Sequence, residues 1–447
     1  MSALWQADEL AAALGVARGF TVQGISIDTR SLAPGDLFIA LHGARDGHNF
    51  VAEAFARGAS AALVARPLPG DVIQVEDPLA ALQRLAVAAR ARARAKIIAV
   101  TGSVGKTTTK EMLRCALAGF GRVHGAEASF NNHIGVPLTL ARMPRETDYA
   151  VFEIGMNHPG EIAPLARLTQ PDVAIITSIG RAHLGLMGSE QAIAEEKATI
   201  FAGLAPNGAA VLPAASKFLP LLRAQVPASA RVHGFAGPGA VARLLTVKYG
   251  AEASDILADI MGTRVKFRLA APGQHMAENA LAVLTVAAAL GLDVADAARA
   301  LEGFTPVSGR GARRRLLVPG GEVLLLDESY NASDASMRAA LAVLALAPGR
   351  HIAVLGDMLE LGEHAGPEHL ALRPDALAAA AKIYACGPHC KPLFDSLPAA
   401  TQGAYASDAA ALAPLVLAAL RPGDTVLVKG SYGSRMRDVV VLLEGSA

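Results

Sequence analysis

Cysteine is scarce in this chain of 447 residues: three, Cys115, Cys386 and Cys390. That excludes a disulfide scaffold and suits a reducing compartment. Cys386-Gly-Pro-His389-Cys390 has the look of a metal half-site, but no second half stands anywhere at a matching spacing, so zinc is not expected. Aromatics are only 4% of the residues, with a single Trp. Charge of one sign is missing as well. The net charge of +1 gives no reason to expect nucleic acid or an anionic membrane as partner. No apolar run reaches the roughly 18–20 residues a bilayer span needs; Ala280 to Leu292 and Ala409 to Leu420 read instead as buried helices. The opening residues carry Asp8 and Glu9 and have no basic start, so they do not read as a signal peptide. A cytoplasmic location and no stable membrane insertion are the expectation.

Apolar residues are plentiful, 52% against 18% charged, enough for several cores, and the length suggests about three domains. The densest basic run, Arg90 to Lys96, sits on an Ala-rich helical pattern and reads as a solvated face.

The most informative stretch is Val100-Thr-Gly102-Ser103-Val104-Gly105-Lys106-Thr107-Thr108-Thr109-Lys110, between the apolar run Ile97 to Val100 and the helical pattern Glu111 to Leu117. Strand, Gly-rich turn, Lys-Thr and helix form a phosphate-binding loop: backbone N–H groups and the helix N-terminus favour an anion. Lys106 would reach the terminal phosphates and Thr107 would ligate magnesium. Only two residues separate the glycines, where the common form has four.

The rest of the chain alternates between strand and helix patterns. Residues 1–88 form a small α/β unit. Residues 89–308 carry the phosphate loop and the strands Tyr149 to Gly155 and Asp172 to Thr177, and residues 309–447 carry Val323 to Leu326, Ile352 to Leu355, Ile383 to Ala385 and Thr425 to Val428. Such alternation predicts a doubly wound, mostly parallel central sheet, followed by a Rossmann-like α/β domain, with ligands at strand C-termini.

Five further positions invite chemistry. Glu153 ends a strand in the domain of the phosphate loop and is placed to ligate magnesium. His183, just past a strand, suits a second metal or a phosphate, or simply a hydrogen-bonded loop. Lys197 reads as a surface lysine paired with Glu195 or Glu196, unless it is buried and carbamylated. Asn131 and Asn132 can recognise a sugar or an amide, or cap a helix.

Taken together these segments resemble the Mur ligases, ATP-dependent amide-forming enzymes of peptidoglycan synthesis. The shortened loop Gly102 to Thr109, Ser129 to Leu140 with its Asn pair, Glu153 to Ile162, Ala182-His183-Leu184, Ala194 to Phe201, Pro272 to His275 with Asn279, Asp327 to Ser333, Val354 to Gly362, Val428 to Ser431, and the N-terminal Asp28-Thr29-Arg30 carry the likeness. Gly185 stands where Glu is frequent and is given no role.

The resemblance implies ATP and magnesium, with UDP-MurNAc-tripeptide and D-alanyl-D-alanine as small-molecule substrates, and a monomer. It implies Lys106, His183 and carbamylated Lys197 in catalysis. It assigns ATP to Gly102, Ser103, Val104, Gly105, Lys106, Thr107, Thr108, Asn279, Arg310 and Asp327. The metals fall to Thr107, Glu153, His183 and Lys197, and the substrates to Asp28, Thr29, Arg30, Asn131, Asn132, Asn331, Lys429 and Ser431. Domains 1–88, 89–308 and 309–447 would bind the UDP substrate, ATP and the incoming dipeptide respectively. A sister amino-acid ligase, a P-loop kinase or NTPase, and a non-catalytic nucleotide-binding module are the alternatives. Asn131-Asn132 and the Asp327 to Ser333 loop favour the dipeptide ligase.

Overall fold

The computed structural model describes residues 3–43 and 45–445. It contains three α/β units, each built on its own sheet. The first sheet is wholly parallel and runs in chain order through Gly24–Ser26, Asp36–Ile39, Ala61–Val64 and Val72–Gln74. The third has six strands. Gly321–Glu328, Thr425–Lys429, His351–Leu355, Lys382–Cys386 and Gln402–Ala406 are parallel neighbours in that order, and Ala312–Val318 closes one edge antiparallel.

The nine-stranded central sheet positions the site. Its strand Lys96–Thr101 lies between Tyr149–Glu153 and Val173–Ile176, all parallel, so the chain leaves it in one direction and later returns on its other side. Such a switch in strand order opens a crevice at the carboxyl ends. Val100 pairs with Glu153 and Thr101 with Ile176, which brings the phosphate loop, Glu153 and Thr177 to one edge. The parallel strands are apolar on both faces because helices cover both. One of these helices, Gln274–Ala289, is apolar nearly all round and almost wholly buried; its Thr285 hydroxyl returns a hydrogen bond to the Leu281 carbonyl at 2.7 Å. The far edge of the sheet is an antiparallel meander, Ala242–Tyr249, Ser254–Ile260 and Thr263–Leu269.

The basic run differs from its sequence reading. The helix Pro78–Arg92 ends because Ala93 turns extended, and Lys96 already begins a strand. The run's face is solvated only in part, at Arg94 and Lys96. The Arg92 side chain is 10% exposed, lies 3.6 Å over the Trp5 ring and pairs with Glu9 at 3.4 Å; burial brings its pKa down to about 10. Arg90 donates to the Thr169 carbonyl at 3.0 Å. With Trp5 donating to the Ala141 carbonyl and Arg142 to that of Ile25, these arginines tie the first unit to the second. No described helix is long and apolar enough to cross a membrane.

Candidate active site

The phosphate loop connects the strand ending at Thr101 to the helix Lys106–Leu117. Gly105 caps that helix at φ +87, and a Cβ there would stand 2.8 Å from Asn279 Oδ1. Only glycine meets both demands, the left-handed backbone and the close approach of Asn279. The loop is held from the neighbouring strand end: Ser178 Oγ accepts from the Val104 N–H at 2.9 Å, Thr177 Oγ1 donates to the Val104 carbonyl at 2.6 Å, and the Ser103 hydroxyl and the Gly180 backbone bond each other. Its geometry therefore exists before any anion arrives.

Lys106 folds its Nζ onto the Gly102 carbonyl at 2.7 Å. Burial lowers its pKa, although the Glu153 carboxylate opposes this. Thr107 Oγ1 donates to Glu153 Oε2 at 2.7 Å, and Glu153 Oε1 accepts from Ser129 Oγ at 2.9 Å and Asn131 Nδ2 at 2.8 Å. Burial pushes the Glu153 carboxyl up, but Lys106, Arg310 and these hydrogen bonds outweigh it, so its pKa ends below the ordinary value. Glu153 is therefore a buried anion at neutral pH, aimed at the threonine that follows the phosphate-loop lysine. Fully buried Lys110 fixes the segment that delivers Asn131, donating to the carbonyls of Ala126 and Ala128.

The Asn pair divides its work. Asn131 bonds Glu153, whereas Asn132 Oδ1 accepts from the N–H groups of Ile134 and Gly135 and caps the helix Gly135–Ala141.

A cavity of about 420 Å³ joins this edge to the third unit. Ser103, Val104, Gly105, Lys106, Thr108, Asn131, Asn132, Glu153, His183 and Asn279 line one side; Arg310, Glu328, Tyr330, Asn331 and Lys429 line the other. The second side comes from strand ends as well, since Glu328 and Lys429 are paired in register. The Arg310 guanidinium lies 4.1 Å over the Tyr330 ring. Lys429 donates to the Asn331 carbonyl at 3.0 Å and stands 3.5 Å from Glu328; burial lowers its pKa against that carboxylate.

Other expected residues lie elsewhere. Asp327 is fully buried and does not line the cavity. It accepts from Ser308 Oγ, the Gly309 N–H, Ser329 and Arg437, pinning the turn between the second and third units. Ser431 is also committed internally, its Oγ accepting from the Leu359 N–H at 2.9 Å. Asp28, Thr29 and Arg30 sit in the first unit, outside the cavity. Asp28 grips the Arg30 guanidinium, which lowers its carboxyl to about 2. Gly102 and Thr107 lie behind the cavity wall.

Lys197 overturns its surface reading. It is 1% exposed, and its side-chain nitrogen makes no hydrogen bond or ion pair among the described residues. Glu196 is already occupied by the N–H groups of Gly160 and Ile162. Burial, then the charge of Lys106, holds the Lys197 pKa well below that of an ordinary lysine, and Glu196 offsets this only in part.

The sequence reading gave no role to Ser129, Thr177, Ser178 or Tyr330, although Ser129 and Tyr330 lie inside its quoted motifs and Thr177 ends a quoted strand.

Residues 21–101 match the "Mur ligase family, catalytic domain", residues 100–287 the "Mur ligase middle domain", and residues 313–432 the "Mur ligase, glutamate ligase domain". A UDP-N-acetylmuramoyl-tripeptide–D-alanyl-D-alanine ligase from Synechocystis is 38% identical, covering 94% of this chain and 91% of its own. The chain belongs to the Mur ligases, in the MurF branch. A crystal structure of MurF from Acinetobacter baumannii superposes with a TM-score of 0.87 at 32% identity, over 99% of both chains. MurF from Thermotoga maritima, solved in complex with ADP, gives 0.79 at 28% identity, over 95% of this chain and 97% of its own.

Proposed function

We propose that the chain joins D-alanyl-D-alanine to UDP-MurNAc-tripeptide at the expense of ATP, in peptidoglycan precursor synthesis. It would do so as a cytoplasmic monomer. The cavity carries this reading, because it offers cations from both sides: Lys106 from the phosphate loop, Arg310 and Lys429 from the third unit. A carboxylate attacking a polyphosphate brings anion to anion, and that step needs fixed positive charge on both.

In the first step a terminal carboxylate oxygen of the tripeptide bonds to the γ-phosphorus, and the bond to the β-phosphate oxygen breaks. The products are an acyl phosphate and ADP. The dipeptide amine then adds to the acyl carbon, loses a proton and expels inorganic phosphate, leaving the amide. Lys106 neutralises the transferring phosphoryl oxygens, and Asn279 borders the nucleotide beside Gly105. Arg310, stacked on Tyr330, reaches the same oxygens from the third unit. Asn131 and Asn132 face the tripeptide, Asn331 and Lys429 the dipeptide. Asp28, Thr29 and Arg30 hold the uridine nucleotide. Closure around the acyl phosphate keeps water from it.

Magnesium, when bound, supplies further positive charge to the phosphates. The donor set suits it: a buried Glu153 carboxylate with the Thr107 hydroxyl, two hard oxygen ligands, and the His183 imidazole. Lys197 fits only if modified. A buried amine whose charged form is disfavoured by burial and by Lys106 adds to carbon dioxide, forming a nitrogen–carbon bond and releasing a proton, and the resulting carbamate is an anion where an ammonium would be a repelled cation.

ADP release by the purified protein with ATP, magnesium, UDP-MurNAc-tripeptide and D-alanyl-D-alanine, omitting each in turn, tests the proposal. Turnover requiring both peptides, with a pentapeptide product by mass, is expected. Turnover indifferent to the dipeptide would refute it.

A further inference from the structure

The segment Gly356 to Gly362 has no part in the chemistry so far, yet it is among the most heavily anchored loops of the third unit. The Gly356 N–H donates to the Lys429 carbonyl at 2.8 Å and the Ser431 N–H to the Asp357 carbonyl at 2.9 Å. The Asp357 carboxylate accepts from the Cys390 N–H at 2.8 Å and the His389 N–H at 3.3 Å. His369 Nε2 accepts from the Met358 N–H at 2.8 Å while Nδ1 donates to the Ala365 carbonyl at 2.6 Å, and Ser431 Oγ takes the Leu359 N–H. Asp357, His369 and Cys390 place their donor atoms within 4.8 Å of one another, a spacing a metal could use. Both ring nitrogens of His369 and both oxygens of Asp357 are already committed, so the cluster works as a brace.

The brace presents Glu360 to the second unit. Glu360 Oε2 stands 2.5 Å from His183 Nδ1, and its backbone carbonyl accepts the Gly185 N–H at 2.9 Å. Both Glu360 and His183 hold left-handed backbones, φ +65 and +66, without being glycine. Side-chain-bearing residues adopt that conformation at a cost, and it persists where surroundings enforce it. Gly185 closes the argument. A Cβ there would lie 2.8 Å from the Gly362 nitrogen and 2.9 Å from the Glu360 carbonyl oxygen, both backbone atoms of the other unit.

We propose that Glu360 and Gly185 are positioning residues for the ligase reaction. In this chain Gly185, where Glu is frequent in the family, lets the Glu360 loop dock as closely as it does here when the third unit closes, and the Glu360 carboxylate then orients the His183 ring. A carboxylate this close to Nδ1, though out of line for a hydrogen bond as the ring stands, favours the proton there once the ring turns toward it and leaves Nε2 with its lone pair for the nucleotide side, as a carboxylate behind a ligating histidine does. The second half rests on the role proposed above for His183; the first does not.

Gly185→Ala tests the docking. Gly185 has an ordinary helical φ in the one-turn helix Leu184–Met187, so alanine suits its own unit and collides only with the other. With a non-hydrolysable ATP analogue and UDP-MurNAc-tripeptide bound, small-angle scattering should show wild type compact and Gly185→Ala more extended, with an unchanged melting temperature and kcat lowered about 100-fold or more. Glu360→Ala should close like wild type yet lose about 10–100-fold in kcat, and Glu360→Gln, which can still accept the bond, should recover most of it. If Gly185→Ala melts early, the Glu360 pair decides. A Gly185→Ala protein that compacts and turns over like wild type, or a Glu360→Ala protein with wild-type kcat, would overturn the proposal. Wild-type kcat in His183→Ala would remove that residue's role and with it the orienting half, leaving the docking to be judged by scattering alone.

Discussion

The two sides of the cavity are built differently. On the central-domain side nearly every polar group is tied to a partner within the same sheet edge: Lys106 to Gly102, Thr107 to Glu153, Glu153 to Ser129 and Asn131, Val104 to Ser178. His183 is the exception, leaning on Glu360 of the third unit. The C-terminal side contributes Arg310, Asn331 and Lys429, whose placement depends on how the third unit sits against the second. Its buried anchors, Asp327 and the Asp357 brace, serve docking. On the proposed reading the first side binds the nucleotide and the second completes the site for chemistry.

Substitution on the first side should therefore damage both nucleotide affinity and turnover, and the largest effect belongs to Lys106. Lys106→Ala removes the one phosphate-loop ammonium, and kcat should fall about 10³-fold or more, with weaker ATP binding by calorimetry. A variant with intact ATP affinity and turnover would erase the distinction between the sides. Lys197→Ala comes next, with a loss of about 10²-fold or more. Its sharper readout is spectroscopic: ¹³C-labelled bicarbonate should give a carbamate carbon signal in wild type and none in the variant. No signal in wild type would leave Lys197 an unmodified buried lysine.

The same asymmetry explains what could be read from the sequence. The central side was legible because strand, loop and helix are contiguous there, and because a carboxylate ending the next strand sits one register step away. The three α/β units were legible from alternating apolar runs. The meander Ala242–Leu269 was not: its strands bury one face, as Ser254–Ile260 shows by alternation, and no turn motif announced them. Spacing alone made Lys197 a surface lysine, because a nine-residue helix with Glu195 and Glu196 beside it looks solvated; the family resemblance implied a buried one, and only tertiary packing buries it. Asp327 and Ser431 lay in motifs that were recognised, but sequence cannot separate a residue that touches ligand from one that holds its neighbour. Long-range partners decide that, such as Arg437 for Asp327.

Arg310→Ala should sharpen the comparison from the other side. The guanidinium rests on Tyr330, lines the cavity and makes no side-chain hydrogen bond or ion pair among the described residues. Its loss should cost about 10–100-fold in kcat, shift ATP affinity only slightly and leave the melting temperature in place. A fall in affinity as large as the fall in kcat would mean that the C-terminal side takes part in initial binding.

The smallest effect on chemistry, and the clearest on stability, belongs to Asp327. Its carboxylate lies fully buried between the Gly309 N–H at 2.8 Å and Arg437 at 3.1 Å, with Ser308 and Ser329 completing the set. Asp327→Asn keeps the shape but replaces one acceptor oxygen by a donor, facing groups that are themselves donors. Unfolding free energy should drop by about 1–3 kcal/mol, read as a lower denaturation midpoint. ATP affinity should stay close to wild type because the residue does not line the cavity. The reverse result, full stability with lost ATP affinity, would move Asp327 from the hinge to the nucleotide. The C-terminal side would then be as pre-built for binding as the phosphate loop.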